Sequence, residues 1–174
     1  MIETQALGFA LNQSPLRQPL FTHRRRALVC ATHPGAVSLI AAWRQCMRDG
    51  GMRLGTHFPS RRWAKLLPHV VLLEKARHDF RVRLSGFGLF CFHGEDLTGK
   101  LLSEIHTWPE FVLRKGELDR VLASDRPHVG HRSVHYGGQT LLEREIVSLP
   151  VLAADARTRL VMAVSFWMDC GLLN

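Results

Sequence analysis

The stretch that decides the fold runs from Val70 to Ser85 and reads VVLLEKARHDFRVRLS. It opens with an apolar run of four residues, and its second half alternates, with arginines between Phe80, Val82 and Leu84. Because successive side chains of a strand point to opposite faces, the alternation predicts a half-buried strand. Two such segments with a short polar link between them predict a β-hairpin.

Upstream of the hairpin, the sequence predicts one helix and a connector. Pro34 suits the first turn of a helix, with Thr32 or His33 as its cap, and Gly50-Gly51 ends it. We assign residues 34–65 to this helix and a basic connector, in which Ser60 starts a short second helix. Residues 1–33 contain two prolines and no sustained periodicity, so we predict a flexible basic N-terminal arm there.

Downstream of the hairpin, the sequence predicts helices and then strands. Leu101 to Ile105 suggests a helical turn, and Pro109 starts a longer helix to about Ser124. Three β-like runs follow, at residues 128–136, 139–152 and 159–168. This order predicts an α+β fold with an antiparallel sheet and helices packed on one face.

Two motifs carry a family resemblance. They are FRVRLSG at residues 80–86 and GEDLTGK at residues 94–100, and both follow four shorter motifs that occur in a fixed order along the chain. These shorter motifs are Trp43-Arg44, Gly50-Gly51, Pro59-Ser60-Arg61 and Leu66-Leu67-Pro68. In this combination, from about Val37 to Trp167, the chain resembles a bacterial subfamily of the PAS sensor domains.

The resemblance implies a PAS-like five-stranded antiparallel sheet at residues 66–168, preceded by the N-terminal helix and followed by a tail at 169–174. It also implies a cavity for a small apolar ligand between the sheet and the helices. We expect six side chains to line that cavity: Phe87, Leu89, Phe92, Phe111, Val112 and Met162.

The N-terminal helix is the expected contact with a partner protein. In PAS proteins such a helix packs across the sheet or against its copy in a dimer, and the resemblance implies a homodimer or a signalling partner here. The four residues that we expect at this contact are Val37, Ile40, Trp43 and Met47. Trp43 is the best anchor, since tryptophan is enriched at interface hot spots.

Composition bounds the class of protein. With 46% hydrophobic and 22% charged residues in 174, the chain can bury the core of one domain. No apolar run approaches the ~20 residues that cross a bilayer. The N-terminus lacks a secretory signal, and the four cysteines are widely spaced. We therefore expect a soluble cytoplasmic protein with free thiols and no membrane contact.

The net charge of +8 raises an alternative, a nucleic-acid-binding regulatory protein. Residues 1–48 hold six arginines and one acid, which is +5 of that total, so the remaining chain is nearly balanced. This distribution argues against nucleic acid for the folded region. The alternative would use the basic arm and connector: Arg24, Arg25, Arg26, Arg53, Arg61 and Arg62.

Enzymatic and cofactor chemistry find little support. No nucleophile elbow, phosphate loop or His-Glu-x-x-His motif occurs. His128, His131 and His135 would share a face only on a helix, and their β-branched neighbours favour a strand. Cys91 lacks the flanking residues that surround a flavin-reactive cysteine. His93 or His106 could ligate haem, but a lone histidine near an apolar face is more often simply hydrogen-bonded. We predict no enzyme activity, no metal site and no cofactor.

Overall fold

The computed structural model describes residues 21–136 and 139–168, except for the side chains of 21, 22 and 90–92. Six strands are present: β1 (Phe21–Leu28), β2 (Val70–Ala76), β3 (Asp79–Ser85), β4 (His128–Tyr136), β5 (Gln139–Leu152) and β6 (Arg159–Met168). The α-helices are α1 (Pro34–Arg48), α2 (Phe87–His93), α3 (Leu102–Ile105) and α4 (Trp108–Ser124), and a 3₁₀ helix covers Arg61–His69.

The strands form one antiparallel sheet in the order β1-β4-β5-β6-β2-β3. The predicted hairpin is confirmed as β2 and β3, with a register shift between Leu72 and Leu73. β2 also pairs along its other edge with β6. The hairpin and the three C-terminal strands therefore share a single sheet.

Both faces of this sheet are covered, because strands β5 and β6 bury alternate residues on opposite sides. Val147, Leu149 and Met162 pack on one face with Leu39 and Trp43 of α1. On the other face, a second cluster joins the sheet to α3 and α4. Its members include Val82, Leu102, Phe111, Leu118, Ile146 and Ala163.

Three predictions about this architecture need correction. Helices lie on both faces of the sheet, since α1 and the 3₁₀ helix cover the face opposite α3 and α4. The sheet has six strands and not five, because Phe21–Leu28 pairs with β4. The prediction of a flexible arm is therefore wrong for these residues, whereas residues 1–20 lie outside the described part. The α+β class and the limits of β4, β5 and β6 are confirmed.

A buried carboxylate positions the start of α1 on the sheet. Glu145 of β5 is fully buried and accepts hydrogen bonds from the Thr32 backbone N–H at 2.9 Å and the Thr32 hydroxyl at 2.7 Å. The predicted cap is confirmed, as Nδ1 of His33 accepts from the Gly35 N–H at 3.0 Å. At the other end of the packed face, Nε1 of Trp43 donates to the Pro150 carbonyl at 2.8 Å.

Gly86 marks a close approach of two backbone segments where β3 meets α2. A Cβ at this position would lie 2.3 Å from the Leu67 carbonyl oxygen and 2.5 Å from that of Pro68. The Gly86 N–H also donates to the Val70 carbonyl at 2.8 Å. Any side chain at this position would push the 3₁₀ helix away from the hairpin.

We therefore expect Gly86→Ala to lower the free energy of unfolding by about 1–3 kcal/mol, as overpacking does. Gly116 is the matched control, because a Cβ there meets nothing within 4 Å and the residue lies inside α4. Gly116→Ala should raise stability by up to about 1 kcal/mol. Urea denaturation of both variants checks this, and equal effects of the two changes would contradict it.

Candidate functional site

A cavity of about 280 Å³ lies between the sheet and helices α2–α4. Its apolar wall comes from the hairpin, from α2 and α3, and from the turn between these two helices. The side chains there are Leu73, Val82, Leu89, Leu97, Leu102 and Ile105. All six have half or more of their surface buried, so this wall belongs to the packed core.

The opposite end of the cavity is lined by arginines on three neighbouring strands. Arg25 on β1 lies directly opposite Arg132 on β4, and Arg132 lies directly opposite Arg144 on β5. Directly paired residues project from the same face of a sheet, so the three guanidinium groups form one cross-strand row. Arg114 of α4 also lines the cavity, where only 8% of its surface is exposed.

Burial and mutual repulsion both act on this arginine row. Burial, with the neighbouring Arg114 and Arg25 charges, lowers the pKa of Arg132 to about 9. The same causes lower the pKa of Arg144 to about 10. Both groups still carry their charge at neutral pH. Like charges directly opposite each other destabilise a sheet, so the row is an unfavourable arrangement in the absence of counter-charges.

Two carboxylates of α4 supply part of that counter-charge. Glu110 contacts Arg25 at 2.8 Å. Glu117 contacts Arg114 at 3.0 Å and Arg132 at 3.8 Å. Burial alone would raise the pKa of Glu117, but the two arginines outweigh it and the net shift is downward. Both carboxylates are therefore ionised at neutral pH.

Two histidines at the cavity are held in the neutral form. Burial lowers the pKa of His106 to about 4, with Glu110 opposing this shift and Arg132 adding to it. Burial, together with the nearby Arg144, also lowers the pKa of His93. At neutral pH the imidazoles thus add hydrogen-bonding groups to the cavity rather than charge.

The depressed pKa of His106 gives a pH dependence of stability. The unfolded chain takes up a proton at pH 6.5, whereas the folded chain resists it until about pH 4. The contribution of His106 to the free energy of unfolding is therefore fully present above pH 6.5 and is lost as the pH drops towards 4. After a discount for solvent screening at this site, we expect the acid-induced loss in the free energy of unfolding to be about 1–2 kcal/mol smaller in His106→Gln than in wild type.

Urea denaturation across this pH range checks the expectation. The matched control is His78→Gln, in the exposed turn between β2 and β3, which should leave the pH profile unchanged. An identical acid loss in wild type and His106→Gln would contradict the assignment.

The structure places few of the predicted ligand-contacting residues at this cavity. Leu89 lines it. Phe87 is 72% exposed and Val112 is 48% exposed, because both lie on outer helix faces. Met162 is buried on the opposite face of the sheet, against α1, and Phe111 is buried within the α4 cluster rather than at the cavity. The prediction that these four residues contact the ligand is therefore wrong. The Phe92 side chain lies outside the described part.

Of the four α1 residues predicted to contact a partner, two are buried and two are exposed. Ile40 and Trp43 belong to the core of this chain and are 7% and 5% exposed. The prediction that they contact a partner is therefore wrong, since the helix uses them to pack on its own sheet. Val37 and Met47 are 49% and 38% exposed on the outer face of α1.

The predicted basic cluster at Arg24–Arg26 does not act as one surface, because alternate residues of β1 face opposite sides. Arg25 is half-buried at the cavity and paired with Glu110. Arg24 and Arg26 are exposed. In the connector, the Arg62 guanidinium stacks 4.6 Å above the Trp63 ring centroid and donates to the Ser38 hydroxyl.

The three histidines of β4 lie on a strand, as the sequence predicts. His131 contacts Glu143 at 2.7 Å, and His135 bonds to the hydroxyls of Ser133 and Thr140. Within residues 21–136 and 139–168, no group of three or more histidine, cysteine or acidic side chains is arranged to hold a metal ion. The Cys91 side chain lies outside the described part.

Sequence reasoning missed both the arginine row and the neighbouring Arg114, although Arg114 and Arg144 each leave a pattern in the sequence. Arg114 occupies the apolar stripe of α4, between Phe111 and Leu118 at helical spacing. Arg144 lies between Glu143 and Glu145, which makes it the single charged residue on its own face of β5. The alignment with Arg25 could not be found, because residues 1–33 were predicted to be an arm.

No described helix combines the length and apolar character needed to cross a membrane. The chain matches no protein-family model and no curated protein sequence.

Proposed function

We propose that the protein is a PAS-like sensory domain that binds a small ligand in the cavity and signals to a partner protein in the bacterial cytoplasm. Two features support the PAS-like assignment. Strands β2 and β3, short helices, the longer helix α4 and then three strands follow the chain order of that family. The hairpin also joins the C-terminal strands in one sheet, with β1 as an additional edge strand.

The cavity is the observation that carries the proposal. At about 280 Å³ it lies near the lower end of the range of about 300–1,000 Å³ typical of small-molecule pockets. Part of its wall is apolar side chains from several elements, and polar and charged side chains converge at the other end. This combination is typical of binding sites rather than of packing defects.

Output through a partner protein is supported by the outer face of α1. Val37 and Met47 leave apolar surface there, and α1 packs directly on the sheet that walls the cavity. A change in sheet geometry on ligand binding would therefore reach α1 without an intervening element. We propose this face as the contact with a second copy or a signalling partner.

Native mass spectrometry of the freshly purified protein tests ligand binding. We expect a small-molecule adduct on the wild-type protein that is absent from Ala163→Phe, since Ala163 lines the cavity and phenylalanine fills it. Ala123→Phe is the matched control, because it adds the same bulk on an exposed position of α4. Leu89→Trp provides a second blocked variant if Ala163→Phe does not fold.

Adducts of equal mass and occupancy on wild type and both blocked variants would place the ligand elsewhere. Such a result would overturn the proposed cavity function.

A further inference from the structure

The arginine row and the apolar wall belong to the same cavity, and this makes the cavity amphipathic. Ala163 on β6, within the apolar part, lies opposite Ser148 on β5. Ser148 is four residues from Arg144 along that strand, which is about 13 Å at a rise of about 3.3 Å per residue. A ligand that contacts both ends must be elongated and of two-part chemistry.

The charged end has more guanidinium groups than its neighbours neutralise. Around Arg25, Arg114 and Arg132, the described residues provide two carboxylates, Glu110 and Glu117. Glu117 serves two of these arginines, and its 3.8 Å contact with Arg132 exceeds hydrogen-bond distance. The described residues around these three arginines therefore leave an excess of positive charge.

A buried donor at the same place is also without a partner. Nη1 of Arg25 is inaccessible to solvent and makes no hydrogen bond. Buried polar atoms in native proteins are nearly always paired, so this unpaired donor on a cavity-lining side chain adds to the excess of positive charge there. Guanidinium groups present paired N–H donors with the geometry of a carboxylate, which makes an organic acid the fitting acceptor.

The other acids of β5 do not fill this role, because they lie on the far face of the sheet. Glu145 accepts from Thr32, and Glu143 contacts His131. The apolar end, in contrast, offers no charged group to a ligand: its side chains are aliphatic, among them Leu73, Val82 and Leu89.

Resting on the proposed function, we infer that the ligand is a medium-chain carboxylate. Its acid group would lie against Arg25, Arg114 and Arg132, and its hydrocarbon chain against Leu73, Val82 and Leu89. This replaces the purely apolar ligand that the sequence predicts, because a neutral ligand would not balance the excess positive charge around Arg25, Arg114 and Arg132.

Calorimetric titration with four probes tests the inference: octanoate, octanol, acetate and inorganic phosphate. We expect wild type to prefer octanoate over octanol by about tenfold or more, as a charge-assisted hydrogen bond gives. Acetate and phosphate should bind more weakly, since neither fills the apolar end. Phosphate as the strongest binder would overturn the carboxylate assignment.

Arg132→Met is the informative variant, because methionine keeps much of the volume and removes the charge. It should lose the preference for octanoate while still binding octanol. Arg83→Met is the matched control, as Arg83 lies on edge strand β3 and is 59% exposed beside Glu74. If Arg132→Met does not fold, Arg25→Met provides the same comparison.

The preference for octanoate decides the inference. Its absence from wild type, or its persistence in the Arg132 variant, would overturn the carboxylate assignment. The proposed function is judged separately, by whether blocking the cavity at Ala163 removes the adduct seen by native mass spectrometry. If the adduct is a neutral molecule and is absent from Ala163→Phe, the proposed sensory function holds and the carboxylate assignment fails.

Discussion

Trp43→Ala should lower the free energy of unfolding by about 3–5 kcal/mol, the usual loss for a buried aromatic residue. Trp43 is 5% exposed and packs in the cluster that joins α1 to the sheet. Its Nε1–H also donates to the Pro150 carbonyl at 2.8 Å, and the truncation leaves that buried acceptor unpaired. The variant therefore loses packing and a hydrogen bond together.

Two further variants separate these contributions. Trp43→Phe keeps most of the packing and loses the hydrogen bond, so we expect a smaller loss of about 1–2 kcal/mol. Trp108→Ala removes an indole that is 72% exposed and should change stability by less than about 1 kcal/mol. Urea denaturation measures all three. A loss below about 1 kcal/mol for Trp43→Ala would mean that α1 does not pack on the sheet.

Glu145→Ala should lower the free energy of unfolding by about 2–4 kcal/mol, because the variant leaves several donors ahead of α1 unpaired. The carboxylate is fully buried and accepts from the backbone and hydroxyl of Thr32. The His33 N–H approaches it at 3.3 Å. Removing these acceptors should detach the start of α1, so helical circular dichroism should fall along with stability.

Glu143→Ala is the matched control for this prediction. Glu143 lies two residues earlier on the same strand face, is half-buried, and contacts His131 at 2.7 Å. A partly exposed pair of this kind contributes up to about 1 kcal/mol. Equal losses for the two glutamate variants would contradict a special role for Glu145.

The hairpin and the three C-terminal strands could be predicted because their signal is local. In β3, Phe80 and Val82 are buried and Arg81 between them is exposed, an alternation that a short window of sequence reveals, although Leu84 is 42% exposed. β6 is instead a nearly continuous apolar run that is buried on both faces of the sheet. Pro34 and Pro109 likewise mark the starts of α1 and α4 within a residue. Such elements follow from the period of the apolar residues and from the chemistry of helix ends.

The face on which each helix packs could not be predicted, because it depends on contacts distant in sequence. α1 covers its face through Glu145 and Pro150, more than 100 residues later. Phe87 and Val112 have the same apolar character as buried residues, yet they lie on outer faces. β1 gives no apolar alternation, since its pattern is set by pairing with β4 and by an arginine that faces the cavity.

Methyl NMR tests most directly the central claim, that a ligand occupies the space between the sheet and helices α2–α4. Spectra would be recorded with and without a small-molecule extract of bacterial cells. We predict that the methyl signals of Leu73, Val82 and Leu89 shift, whereas those of Leu39 and Leu149, which pack between α1 and the sheet, do not. The shifts should be absent from Ala163→Phe. Shifts centred on Leu39 and Leu149, or shifts that persist unchanged in the blocked variant, would contradict it.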